Sequence, residues 1–429
     1  MSVTVHFRCH GCGATVDAAR VLPFRCPNAG IAGDTDHVLV AERSDAQFAI
    51  GGEQNPFLRY RNLLSPYRLA RAAGLPDAAW SDIVGELDAA LIAVDKRGFR
   101  VTPMTEQKAL ASALNMSVPL WVKDETGNVG GSHKARHLMG VMLYLYVLER
   151  ARLPAGEGLR ARRLAIASCG NAALAAAVLA RAASWPLDVF IPLDANVAVK
   201  RALQDLGASI TVCERRAGEL GDPCVQRFRE AVARGALPFG VQGNENGLAV
   251  EGARTLAFEM AETFSVANHG PGAVYAQVGG GALASALAQG FAVAKRLGVL
   301  TGVPKLIAVQ TESCAPLARA WSKLNGLELA EAARHRSQFM WPWEAPGRSQ
   351  ADGILDDETY DWWAVSEGMR MSGGRPVVVT EAMIERAHRL AQLHTGIPVS
   401  ATGTAGLAGT MIATETNDPI AVIFSGVER

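Results

Sequence analysis

Strand-like apolar runs that alternate with helical stretches, from about residue 53 to the C-terminus, constrain this chain more than any other feature. Leu120–Lys123 precedes a helical pattern from Ala135 to Arg150, and Leu164–Ala167 precedes one from Ala172 to Ala183. Leu187–Ile191 is followed by Ala198 to Leu206, and Ser209–Cys213 by Cys224 to Arg234. Ala273–Val278 leads into Ala282 to Leu297, Lys305–Val309 comes next, and Ile420–Phe424 is the last strand candidate. A helix between two strands is the usual crossover of a parallel sheet, so this rhythm predicts parallel sheets layered by helices. A single open sheet seldom carries so many strands, which predicts two such α/β units. Trp341 to Gly353 reads as an irregular surface loop.

The first 52 residues differ. They hold Cys9, Cys12 and Cys26 and the alternating run His37–Ala41, and Gly51-Gly52 closes them, which suggests a small β-rich module. In composition, 42 Lys+Arg balance 42 Asp+Glu, so no whole-molecule field draws nucleic acid or anionic membrane. Seven cysteines in 429 residues make no disulfide scaffold and favour a reducing compartment. The N-terminus lacks the apolar core of a secretion signal, and the run Ala172–Ala180 stops at Arg181, too short to span a bilayer. A soluble, cytoplasmic protein is expected.

Four strand-to-loop junctions carry chemistry. In the first, Gly130-Gly131-Ser132-His133 delivers Lys134 to a helix start, where the dipole disfavours a permanent cation and a neutral, carbonyl-attacking amine would ease the conflict. In the second, Ser168-Cys169-Gly170-Asn171-Ala172 offers backbone N–H groups and one side-chain amide at a helix start. Cys169 has no base beside it in sequence and reads as an inert thiol rather than a nucleophile. In the third, Gly279-Gly280-Gly281-Ala282-Leu283 leaves backbone donors free for a phosphate monoester, and it lacks both the P-loop ending and the dinucleotide spacing. In the fourth, Ser425-Gly426 ends the terminal strand with a hydroxyl.

In this order, over roughly residues 95 to 429, the junctions resemble the fold type II pyridoxal-phosphate enzymes, which include threonine synthase, the serine/threonine dehydratases and cysteine synthase. Pro103, Ala198–Ala208, Glu251-Gly252, Glu259 and Ala308–Gln310 add to the resemblance. It implies two three-layer parallel-sheet domains with the cofactor between them, beside the small N-terminal β-rich extension. The expected division is 1–52 for the cysteine-containing module, 53–140 with 241–429 for the larger cofactor-binding domain, and 141–240 for the smaller one. It further implies that Lys134 forms an imine with pyridoxal 5'-phosphate, that Asn171 bonds the phenolic oxygen, that Gly279, Gly280, Gly281, Ala282 and Leu283 cradle the phosphate, and that Ser425 faces the ring nitrogen. Ser168, Cys169, Gly170, Asn171 and Ala172 would hold the substrate carboxylate. A homodimer or higher homo-oligomer acting on a small amino acid is expected.

A neutral serine at the ring nitrogen mutes the electron sink and favours loss of a β-substituent over transamination. The expected activity is therefore a lyase that converts a β-hydroxy or other β-substituted amino acid to a 2-oxo acid and ammonia. A threonine synthase-like or cysteine synthase-like replacement is the alternative, and a non-catalytic zinc-ribbon binding protein is the alternative of another class. The chain departs from the family at three places. His133 stands where Phe is usual, as an aromatic surrogate or as a tuner of the lysine's proton affinity. Ser400–Thr404 lacks the dehydratases' Glu-Pro, and Ala172 leaves room for a side chain larger than threonine's. Cys9-x-x-Cys12 with Cys26 gives half a zinc ribbon, which His37 could complete, with His10, Asp34 or Asp36 as substitutes; a metal-free remnant is the other reading.

Overall fold

A computed structural model describes residues 5–31, 33–42, 47–48, 51–219, 221–267, 271–344, 347–412 and 417–429. Strands β1 (His6–Cys9), β2 (Thr15–Asp17) and β3 (Leu39–Ala41) form an antiparallel sheet in the order β2-β1-β3. Strands β4 (Met104–Glu106) and β5 (Leu120–Asp124) then begin a second sheet. The chain leaves it to build a separate parallel sheet from β6 (Leu164–Ala167), β7 (Leu187–Pro192), β8 (Ser209–Cys213) and β9 (Leu237–Pro238), in the order β8-β7-β6-β9. It returns to the second sheet with β10 (Ala273–Gln277), β11 (Lys305–Thr311), β12 (Arg375–Val379) and β13 (Ile420–Phe424). That sheet runs β12-β11-β10-β13-β5-β4 and is parallel except for the β4 edge.

The sequence dictates which strands are central. Ala273–Gln277 and Ile420–Phe424 are buried at every residue because helices cover both faces, as continuous apolar runs require. Two parallel strands escaped the sequence reading for one reason. β9 and β12 contain Pro238 and Pro376, which lack an N–H, and both are edge strands where that donor is not needed. The expected strand His37–Ala41 forms only over Leu39–Ala41, because His37 turns towards the cysteines instead.

The helix Lys134–Arg150 lies in the interior. Thirteen of its 17 residues are buried, so apolar packing on all sides fixes it in place. It crosses the helix Ala249–Ala267 at Gly140 and Gly252, where a Cβ on Gly140 would meet the Gly252 backbone at 2.8 Å. Only glycine at both positions allows that approach. The crossing sets the height of Lys134 relative to the rest of the fold.

Candidate active site

Strands β10, β13 and β5 are adjacent and parallel, so the glycine loop, Ser425 and the segment leading to Lys134 emerge side by side at their C-terminal ends. The Lys134 loop turns on two left-handed glycines, Gly130 (φ 63°) and Gly131 (φ 69°). It is stitched to the end of β13: the His133 N–H donates to Ser425 O (3.0 Å), and the Val427 N–H donates to Gly131 O (2.9 Å). Lys134 is the first residue of its helix, and its amine makes no hydrogen bond among the described residues. Loss of solvent pushes its proton affinity below that of an ordinary lysine, against the opposing fields of Asp356 and Asp361.

His133 is buried, and its Nδ1 lies 3.1 Å from Ser425 O. A carbonyl accepts only, so Nδ1 carries the proton and Nε2 presents a lone pair. Burial and the neighbouring Lys134 charge hold the imidazole neutral, down to about 3. Ser132 Oγ and His133 Nε2 are both buried without a partner.

Ser425 Oγ accepts a 2.6 Å hydrogen bond from Gln277 Nε2, whose other acceptors are main-chain carbonyls, including Gly403 O (3.0 Å). The serine proton is thereby left for a partner outside the protein. Asn171 begins the helix Asn171–Ala182, with its Oδ1 accepting from Arg429 Nε (3.1 Å). A Cβ on Gly426 would lie 2.7 Å from Asn171 Nδ2, so Asn171 and the end of β13 are brought together although the two belong to different sheets. Ser168 Oγ accepts from the Gly170 N–H (3.4 Å). Cys169 is open to solvent just before the helix Asn171–Ala182. Desolvation, then the carboxylates of Asp352, Asp194, Asp222 and Asp356, raise its thiol and keep it protonated, as expected of an inert cysteine.

The glycine loop holds an anion of the chain's own. The Gly280 N–H donates to Asp356 Oδ2 (2.8 Å), Thr359 Oγ1 donates to Gly279 O (2.9 Å), and the Asp361 N–H donates to Gly280 O (2.9 Å). A Cβ on Gly279 would come within 2.2 Å of the Asp356 carboxylate, so a side chain there would block the seat. Ala282 and Leu283, buried, begin the helix that follows. Burial raises Asp356, and it lifts Asp361 to about 7.

Behind the lysine, Arg136 is fully buried between two carboxylates, with Nε 2.8 Å from Glu125 Oε2 and Nη1 2.6 Å from Glu259 Oε1. Lys123 Nζ completes the group on Glu259 and on Thr102 O (2.7 Å). Sequence reasoning noted Glu259 but missed Gln277, Asp356, Asp361 and Arg429. Gln277 had a signal, since it is the last residue of a strand before a glycine run. The aspartates lie more than two hundred residues from Lys134 and had none.

Cys9, Cys12, Cys26 and His37 place their four ligand atoms within 4.8 Å of one another. Cys12 Sγ is 3.5 Å from Cys26 Sγ, and Cys9 Sγ is 3.5 Å from His37 Nδ1. The substitutes are engaged elsewhere. His10 stacks on Trp363 at 4.1 Å, Asp36 faces Arg336, and Asp34 accepts from Ser337.

These residues suit pyridoxal phosphate. A lysine of lowered proton affinity, two unpartnered buried polar atoms beside it, and a loop whose N–H already holds an anionic oxygen match an aldehyde-bearing phosphate ester. Comparison with known proteins agrees. Residues 96–426 match the family model described as pyridoxal-phosphate dependent enzyme. A mouse serine dehydratase-like protein is 29% identical over 191 residues, covering 44% of this chain and 52% of that protein. Threonine synthase of Synechocystis is 28% identical over 313 residues, 71% of this chain and 70% of the relative. The crystal structure of a threonine deaminase from T.th. superposes with a TM-score of 0.60 at 22% identity, over 80% of this chain and 98% of that one, which is a likeness of fold. The chain spans about half the length of the serine dehydratase-like relatives it matches. Among the described residues, no helix is long and apolar enough to cross a membrane.

Proposed function

The chain belongs to the pyridoxal-phosphate dependent enzymes, and from that premise we propose that it is a lyase converting a β-hydroxy or other β-substituted amino acid to a 2-oxo acid and ammonia. Lys134, Asn171, Ser425 and the loop Gly279–Leu283 would hold the cofactor, which when bound supplies an electron sink for the substrate's α-carbon. Ser168–Ala172 would take the substrate carboxylate on their backbone donors. Lys134, in its neutral form, is the base that takes the α-proton and holds it at Nζ.

The observation that carries the reading is the pairing of Ser425 with Gln277, both neutral. The hydroxyl's free proton can be donated to a ring nitrogen, but a serine cannot stabilise a protonated ring as a carboxylate would. A muted sink favours expulsion of a β-substituent over transamination. Incubation with a panel of β-substituted amino acids tests this: 2-oxo acid and ammonia should appear in equal amounts, and a transaminated cofactor would contradict it. The threonine synthase likeness, which spans more of the chain than the dehydratase likeness, favours a second reading, replacement of the substituent. An added thiol would then take the place of the departed β-substituent and give a new amino acid instead of 2-oxo acid and ammonia, and phosphohomoserine supplied as the substrate would lose phosphate and take up water to give threonine.

We also propose a structural zinc on Cys9, Cys12, Cys26 and His37, because three thiolates and an imidazole with these separations suit a tetrahedral ion. Elemental analysis should find about one zinc per chain, and metal-free, fully folded protein would contradict the assignment. A cytoplasmic homo-oligomer, taken to be at least a dimer, completes the proposal, and light scattering reads the oligomeric part.

A further inference from the structure

Past β13 the chain runs back across the site. A bridge between Ser132 and Gly426 and the Val427 N–H on Gly131 O (2.9 Å) lay it along the Lys134 loop, and the Glu428 N–H on Pro398 O (2.8 Å) pins its other side. Arg429 is thereby delivered to the seam between that loop and the helix Asn171–Ala182, where a Cβ on Gly130 would meet Ala175 Cα at 3.2 Å. Its guanidinium donates to Gly130 O and, from Nε, to Asn171 Oδ1 (3.1 Å). Asp95 holds the same glycine from the other end, its Oδ2 accepting the Gly130 N–H at 2.9 Å.

Among the described residues, Arg429 is the one hydrogen-bond partner of the Asn171 side chain. A guanidinium only donates, so the amide must turn its oxygen to Arg429 and its nitrogen to the opposite side. There Nδ2 lies over Gly426, whose missing side chain leaves the room, since a Cβ would stand 2.7 Å away. A charged donor on the amide oxygen also draws electrons through the amide and makes its N–H groups stronger donors. Asn171 is thus both oriented and polarised to serve an oxygen that accepts, and an ionised oxygen best of all.

We propose that Arg429 is a positioning residue: acting through Asn171, it holds the phenolic oxygen of the cofactor in its ionised form. The proposal rests on the reading above that Asn171 serves that oxygen. Arg429 itself reaches only the amide and the Gly130 carbonyl, so its influence on the cofactor passes through one side chain and can be cut there.

The test is the absorbance of cofactor-loaded protein at neutral pH. The violet-absorbing form has the phenolic oxygen ionised and the near-ultraviolet form has it protonated, and both are read from bound cofactor, so weaker loading does not mimic the effect. Their ratio should fall by about threefold or more in Arg429→Met, as expected for the loss of one charge-assisted hydrogen bond. Arg429 is exposed, so the variant should fold. Asn171→Ala should lower the ratio at least as far, and adding Arg429→Met to it should change the ratio no further. A ratio in Arg429→Met equal to that of the wild type, with only the melting temperature lowered, would mean that Arg429 merely joins the loop to the helix and would overturn the proposal. So would an equal fall with and without Asn171. If Asn171→Ala by itself leaves the ratio in place, the assignment of Asn171 to the phenolic oxygen falls first, and the role of Arg429 falls with it.

Discussion

Two sets of carboxylates flank the start of the Lys134 helix, and they behave in opposite ways. Behind the lysine, burial alone would push Glu125 up, but Arg136, Lys123 and the Thr102 hydroxyl more than reverse it and hold the carboxyl below its usual range. In front, Asp361 has only the Gly243 N–H (3.2 Å) and the more distant Lys134 to set against burial and the field of Asp36, and it rises to about 7. Nearly equal burial thus gives a permanent charge on one side and a titrating group on the other. A matched cation makes the difference. The first set fixes the position of the lysine's helix, while the second puts a proton-exchanging group in its field near neutral pH.

Removing the matched cation breaks the comparison most severely. Arg136→Met leaves the buried Glu125 and Glu259 with Lys123 as their one remaining cation among the described residues, and stability should fall by about 3–5 kcal/mol in thermal or denaturant unfolding. Adding Glu125→Gln to Arg136→Met, which keeps the Lys123–Glu259 pair, should recover much of that loss, since the cost comes from the stranded charge. A double variant as unstable as the single one would mean that the network acts through packing instead.

The second set should show itself through pH. A carboxyl raised in the folded state favours folding below its unfolded value near 4 and loses that advantage as pH climbs through about 7. The wild type should therefore lose on the order of a few kcal/mol between these limits on account of Asp361, and Asp361→Asn should remove that slope and be the more stable protein at pH 8. Parallel stability curves for the two proteins from pH 4 to 8 would contradict the assignment.

The neutral pair of Gln277 and Ser425 should have the smallest effect. Gln277→Leu removes one hydrogen bond to the serine hydroxyl and should weaken cofactor binding by about 1 kcal/mol, roughly fivefold, in a spectroscopic titration. A loss as large as that from Arg136→Met would place Gln277 in the structural set.

The sheets were legible in the sequence wherever strands were apolar throughout, as in Ile420–Phe424 and Ala273–Gln277, because burial on both faces leaves an uninterrupted signal. Edge strands with proline were not, since the residue that makes an edge tolerable also erases the pattern. Lys134 and the glycine loop could be found because the chemistry demands local residue types at fixed spacing. Asp356 and Asp361 reach the same place through a crossover of the sheet, and nothing local in Leu355–Asp361 marks that destination. For the N-terminal cysteines the spacing of Cys9 and Cys12 was visible, whereas the approach of Cys26 and His37 is a product of the fold.

The central claim is that Lys134 carries the cofactor, and reduction of the loaded protein with borohydride followed by peptide mass mapping tests it most directly. The visible absorbance should bleach, and a single pyridoxyl group should be found on the peptide containing Lys134. A label on another lysine such as Lys123, or a protein that takes up no cofactor under reconstitution, would contradict the account.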